Sequence, residues 1–218
     1  MSLYTPPSFV AHERAAIARL LHDYPFATLI TPRGAEPLIS HVPLLLVPGC
    51  EPHGTLIGHV ARANPHWQHA KNGESIAIFH GPHAYVTPSW YEHAERMVPT
   101  WNYAVVHAHG MLEVVDDPVE KQRVLDLLVT RFESTREAPW QFAMGKQQRD
   151  AMIGAIVAFR MRVKRLEAKF KLSQNRSPQD RRRVAAGLRA EGYAEAVSTA
   201  EWMDAYAAFD DEKDRETR

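Results

Sequence analysis

Between Gly58 and Trp67 the chain reads Gly-His-Val-Ala-Arg-Ala-Asn-Pro-His-Trp. The apolar run from Leu56 to Val60 ends just before a basic residue. Asn64 has the side chain of an N-cap, and Pro65 suits a first helical position. A strand emptying into a helix start, with Arg62 at the junction, can offer free N–H groups and a guanidinium to a phosphate. A plain cap at Asn64 and a surface ion pair at Arg62 account for the same residues. On this segment alone that plainer account leads.

A second polar cluster runs from Lys169 to Arg176. Three cations, two amides (Gln174, Asn175) and the Ser173 hydroxyl follow one another closely. Amides can bond the heteroatoms of a planar ligand while cations meet its anionic edge. An ordinary polar loop leading into a helix is the alternative. The chain also carries 12 histidines. His107 and His109, two apart on a strand, share one face. Two ligands do not make a metal or haem site, and nothing in the spacing brings His59, His66, His80 or His83 to them. Histidines lining an interface or a polar pocket are the simpler reading. Arg181, Arg182 and Arg183 are consecutive on a helix, so they point about 100° apart and form no single stripe. No Gly-x-Gly-x-x-Gly, Walker or Gly-x-Ser-x-Gly pattern is present, and no helix-turn-helix is legible.

These residues need elements to hold them. Helical spacing of Ile17, Leu20, Leu21 and Tyr24 predicts a helix from Ala11 to Asp23, stopped by Pro25. Strands are predicted at Phe26–Thr31, Leu38–Val47, Thr55–Ala61, Ile76–Phe79 and Ala84–Thr87. Pro43, inside the second, belongs at an edge or bulge. An aromatic loop follows, with Trp90, Tyr91 and Trp101. Tyr103–Val115 is then a long strand, and Asp117-Pro118-Val119-Glu120 reads as a helix-opening capping box. From Ile156 to Phe170 the apolar residues alternate, but the parity changes after Arg165, which predicts a β-bulge near Lys164 or Arg165. Ser177-Pro178 opens a helix ending near Gly192. A short last helix is predicted at Thr199–Phe209. Residues 210–218 read as a charged, disordered tail after a single domain of residues 1–209.

The composition is that of a globular protein: 45% hydrophobic and 24% charged over 218 residues. Cations and anions balance at 26 each, which argues against coating nucleic acid by charge alone. The single cysteine, Cys50, stands in a predicted turn and cannot form an internal disulfide. No signal-peptide pattern opens the chain and no apolar run nears the ~18 residues of a membrane span. A cytoplasmic protein with no membrane association is expected. Strands with interspersed helices suggest a closed antiparallel barrel decorated by helices, a mainly β form of the α+β class.

Six segments in order resemble the PaiB-type family of FMN-binding negative transcriptional regulators. They are Tyr4 to Phe9, Ser40 to Leu44, Gly58 to Trp67, His83 to Tyr91, Val98 to Tyr103 and Lys171 to Arg176. The resemblance implies a split β-barrel of the FMN-binding type and a homodimer with flavin sites at the subunit interface. It implies that His41, Val42, Pro43 and Leu44, with His59, Arg62, Asn64 and His66, hold the flavin phosphate and ribityl chain. His41 stands where pyridoxamine-phosphate-oxidase relatives would carry a strand arginine. The partner subunit would contribute around Tyr85 and Trp90. The loop with Lys171, Gln174, Asn175 and Arg176 would close over the ring. DNA as a partner follows from the resemblance only. An FMN-dependent oxidoreductase on the same fold is the alternative function, and a haem or metal protein using His107 and His109 a lesser one.

Overall fold

Alternation sets the first strand. In β1 (Phe26–Thr31) Ala27, Leu29 and Thr31 are buried, while Phe26 faces outward and is exposed. The computed structural model describes residues 3–49 and 53–216, so Cys50 and its expected turn lie outside the described residues. Helix α1 (Arg14–Asp23) precedes β1 and buries Ile17, Leu20 and Leu21. β2 (Leu38–Pro43) pairs antiparallel with β1, placing Thr28 opposite His41 and Ile30 opposite Ile39.

The predicted strand Leu38–Val47 is in fact two strands. After Pro43 the chain breaks at Leu44 and resumes as β3 (Leu45–Val47), which pairs with β4 (Thr55–Ala61). Pro43 has no N–H to give a ladder. Leu44 donates its own to the Pro25 carbonyl at 2.8 Å and buries its side chain. The sheet order is β2-β1-β5-β6-β7-β4-β3, so β2 and β3 are its two edges. One residue joins them, and β2 also packs on β4 there. A Cβ at Gly58 would sit 2.6 Å from Leu44 Cδ2 and 3.2 Å from the Pro43 carbonyl. Glycine is what lets the edges meet and the barrel close.

The two strands expected at Ile76–Phe79 and Ala84–Thr87 are one, β5 (Ser75–Val86). Gly81-Pro82 reads as a turn but acts as a change of pleat. Ser75, Ala77 and Phe79 are buried before it, and Ala84 and Val86 after it. β6 spans Thr100–Val115 and β7 Ile156–Lys171. In β7 the buried set passes from Val157, Phe159, Met161 and Val163 to Ala168 and Phe170. That is the parity change read from the sequence.

The chain falls into two compact units: Met1–Tyr24, His80–Val106 and Glu167–Arg218 in the first, Pro25–Phe79 and His107–Leu166 in the second. In the second, α2 (Pro118–Glu133) starts at the expected cap, where the Asp117 carboxylate accepts from Glu120 N at 2.9 Å. Val124 and Leu128 pack with Ile57, Val115 and Ala158. Helix α3 (Lys146–Gly154) was not legible, because it buries no residue and has no apolar stripe.

The first unit is built on α4 (Pro178–Glu191) and α5 (Ala194–Glu216). The Ser177 hydroxyl caps α4 by accepting from Asp180 N at 3.1 Å, and Gly192 ends it at φ 74°. Phe170 is fully buried, 5.7 Å from the Trp202 ring and 5.2 Å from Tyr206. Burial of one such ring contributes about 2–3 kcal/mol. α5 is longer than the predicted Thr199–Phe209. Its backbone takes in residues 210–216 of the stretch expected to be disordered. Among the described residues no helix is long and apolar enough to cross a membrane.

Candidate functional site

In the second unit Asn64 caps the 3-10 turn Pro65–His69: its Oδ1 accepts from His66 N at 3.0 Å. Its Nδ2 donates to Ser40 Oγ at 3.0 Å. His66 is 2% exposed. One ring nitrogen meets Ser40 Oγ at 2.9 Å and the other Thr31 Oγ1 at 2.7 Å. Thr31 Oγ1 in turn lies 2.7 Å from Ser75 Oγ. Burial, and then the nearby His69, push the His66 imidazole below its ordinary pKa. A neutral ring that donates on one side and accepts on the other matches hydroxyl partners, which can do either. Asn64 and His66, expected at the ligand, make these hydrogen bonds within the unit.

Arg62 is also occupied. Its Nε donates to the Gly154 carbonyl at 2.7 Å and an Nη donates to Ile156 O at 3.2 Å. Its backbone N–H reaches Ala155 O at 2.8 Å. Gly154 ends α3, so the guanidinium sits on the negative pole of that helix. Trp67 closes the corner, donating from Nε1 to Arg62 O at 3.1 Å.

The other second-unit candidates divide by exposure. Val42 and Leu44 are buried core residues. His41 is exposed, stacked on Phe26 at 6.4 Å and 3.2 Å from Thr28 Oγ1 through Nδ1. Pro43 and His59 line a cleft of about 220 Å³ with Leu128, Phe132 and Trp140. Burial lowers the pKa of His59, whose Nδ1 has no hydrogen-bond partner among the described residues. His107 and His109 lie side by side, rings 6.4 Å apart. His109 is 1% exposed and takes a hydrogen bond from Arg165 at Nδ1, at 3.0 Å.

In the first unit the Lys171–Arg176 loop is tightly built. Lys171 Nζ donates to Thr100 Oγ1 and, at 2.6 Å, to the Trp101 carbonyl. Burial, then Lys169 and Arg176, hold its pKa below the usual lysine value. Gln174 folds back, accepting from Leu172 N at 2.7 Å and donating to Phe170 O. Asn175 is exposed, and Arg176 lies over the Tyr91 ring at 5.4 Å with no carboxylate partner among the described residues. Trp90 packs flat on α4, filling the space a side chain at Gly187 would need. Tyr85 stays exposed, 6.3 Å from Trp101. Trp101 and His83, both in segments that carried the family resemblance, line an open cleft here.

Residues 3–165 match a family model described as "Putative FMN-binding domain". The chain belongs to this FMN-binding family. Its PaiB-type character is seen in a relative from Bacillus subtilis strain 168, "Protease synthase and sporulation protein PAI 2". The two are 31% identical over 205 residues, covering 93% of this chain and 97% of the relative. Solved structures with a similar fold include the FAD and haem-binding protein from Mycobacterium smegmatis. Its TM-score is 0.58 at 19% identity, over 82% of this chain and 80% of that one. The flavocytochrome Anf3 from Azotobacter vinelandii has a TM-score of 0.57 at 12% identity, over 74% and 69%. The FMN-binding family thus brings the α+β split barrel expected from the sequence, with FMN as its cofactor. The family match ends at residue 165, before the Lys171–Arg176 loop.

Proposed function

We propose that the chain binds FMN at the surface of a homodimer, and that the bound flavin is its working group. Family membership over residues 3–165 is the observation that carries this reading. FMN needs a cationic, hydrogen-bond-donating partner for its phosphate and an apolar face for its ring. Arg176 supplies a half-buried cation and Asn175 an exposed amide, and the first unit has an open aromatic cleft of about 380 Å³. His41 and Tyr85 are further candidates with exposed rings, and His59 a half-buried one whose Nδ1 is out of solvent. In the second unit Arg62, Asn64 and His66 hold their own corner, and in the first Lys171 and Gln174 hold the backbone at Trp101 and Leu172. When bound, FMN supplies the redox chemistry itself, so no acid–base triad is required of the chain.

Phe26 and Ile39, 64% and 57% exposed on the β1–β2 ladder, support a second copy of the chain as partner. The PaiB-type resemblance supports a regulator. Arg183 on α4, however, is drawn to Glu92 and Asp180, both at 3.6 Å, which weakens α4 as a DNA-reading face. An FMN-dependent oxidoreductase is the second reading.

Titration with FMN, followed by absorbance, tests the proposal. A perturbed flavin band that saturates at one FMN per chain is expected. A spectrum equal to the sum of free FMN and protein would end the flavin reading. NAD(P)H oxidation by the loaded dimer would then favour the oxidoreductase, and a footprint on promoter DNA at physiological salt the regulator.

A further inference from the structure

We propose that Trp101, with Tyr85 and His83, forms the face against which the flat ring system of the flavin lies. The inference rests on the FMN reading above and adds the residues that hold the ring.

Three observations within the first unit carry it. The first is exposure. Trp101 is 52% exposed and Tyr85 42%. The His83 and Trp101 rings lie 6.2 Å apart and tilted by 33°, while Tyr85 meets Trp101 edge-on at 72°. Three neighbouring rings left in water make an apolar patch of the kind that marks a binding surface. His83 and Trp101 line the open cleft of about 380 Å³, whose walls also include His80, Tyr103 and Val105.

The second is rigidity. Lys171 Nζ holds the Trp101 carbonyl at 2.6 Å and also bonds Thr100 Oγ1. On the other side Asn102 Nδ2 donates to Ser173 Oγ at 3.0 Å, and it reaches Met203 Sδ at 3.3 Å. Ser173 sits at φ 66°, a left-handed conformation that a serine adopts at a cost, and it is 4% exposed. The backbone is therefore clamped before, at and after Trp101. An exposed ring fixed in this way binds without first having to be ordered.

The third is the chemistry of the rim. His83 Nδ1 lies 3.4 Å from the Gly81 carbonyl, a contact in which Nδ1 is the donor. That tautomer keeps Nε2 as an acceptor. A flat heterocycle with apolar faces and an imide N–H on its edge matches an aromatic platform bordered by an acceptor, and the flavin ring is such a group.

The test compares FMN titrations of the full chain and of Trp101→Leu, Trp101→Phe and Tyr193→Leu. Affinity, flavin fluorescence and visible circular dichroism are read together. Tyr193 is an exposed aromatic residue between α4 and α5 and serves as control. We expect the wild-type chain to quench flavin emission on binding. Trp101→Leu should bind roughly tenfold more weakly, the scale of one lost stacking partner, with emission restored. Trp101→Phe, which keeps a ring, should retain most of the affinity and guards against a misfolded leucine variant. Tyr193→Leu should match wild type. Equal affinity and equal quenching in Trp101→Leu and wild type would overturn the platform while leaving FMN binding intact. A wild-type chain with no FMN response would overturn both. A Trp101→Leu chain that turns monomeric with unchanged FMN affinity would assign the face to a second copy instead.

Discussion

Arg62 Nε donates to the carbonyl of Gly154 at 2.7 Å, across 92 residues of sequence. The side chain that looks most like a phosphate ligand thus spends its strongest bond on the end of a helix. Arg62→Ala should destabilise the chain by about 1–2 kcal/mol, the cost of hydrogen bonds to a charged donor at a partly exposed site. FMN affinity should change less than about threefold, since 1.4 kcal/mol would be tenfold. Urea unfolding and FMN titration of the same preparation check both halves. A large affinity loss with unchanged stability would restore Arg62 to the phosphate.

Acidification should weaken the fold through His66 and His59. Burial lowers both pKa values in the folded chain, so the unfolded chain binds more protons as the pH drops. Their contribution is fully present above the unfolded histidine value of about 6.5 and declines below it. The slope for each group is at most about 1.4 kcal/mol per pH unit. Thermal melts between pH 7.5 and 5.5 should show a falling midpoint. His66→Gln should flatten the curve while lowering stability at pH 7.5, because Ser40 and Thr31 lose the ring between them. A wild-type melt independent of pH across this range would contradict the buried neutral imidazoles.

Two glycines give opposite results. A Cβ at Gly110 would lie 2.0 Å from the Arg162 carbonyl oxygen, so Gly110→Ala must move β6 or β7. The expected cost is about 3 kcal/mol or more. Gly154 has nothing within 4 Å of the same position and lies in α3, so Gly154→Ala should be neutral or stabilising by about 0.5–1 kcal/mol. Denaturant midpoints of the two variants separate these outcomes.

Ile39→Glu should leave the monomer folded, because the side chain is 57% exposed on β2. It should convert the proposed dimer to monomer, as a charge set into an apolar contact is costly. Sedimentation velocity gives the answer. A dimer that persists unchanged would move the interface away from the β1–β2 ladder.

The sequence carried the fold wherever local rules act alone. Asp117, Ser177 and Asn64 are caps because their short oxygens sit before helix-competent runs. The parity change in β7 was legible because alternation has an unbroken record on both sides. Gly81-Pro82 misled because those residue types mark turns far more often than a shift of pleat inside a strand. The site was less legible. Whether Arg62 faces solvent or a helix end depends on α3, an element with no apolar stripe to announce it. Trp101 stood in a recognised segment, but only the fold shows that Lys171 and Asn102 immobilise it while its ring stays in water.

Leu44 has a consequence for how this gene can change. Because one residue separates the two sheet edges, β2 and β3 share a reading frame. An insertion or deletion at this joint cannot be absorbed as it would be in a loop. Shifting either strand by one position turns its inward side chains outward. Length variation among descendants of this chain should therefore collect in segments such as 134–145, between α2 and α3, and spare the joint between His41 and Leu45.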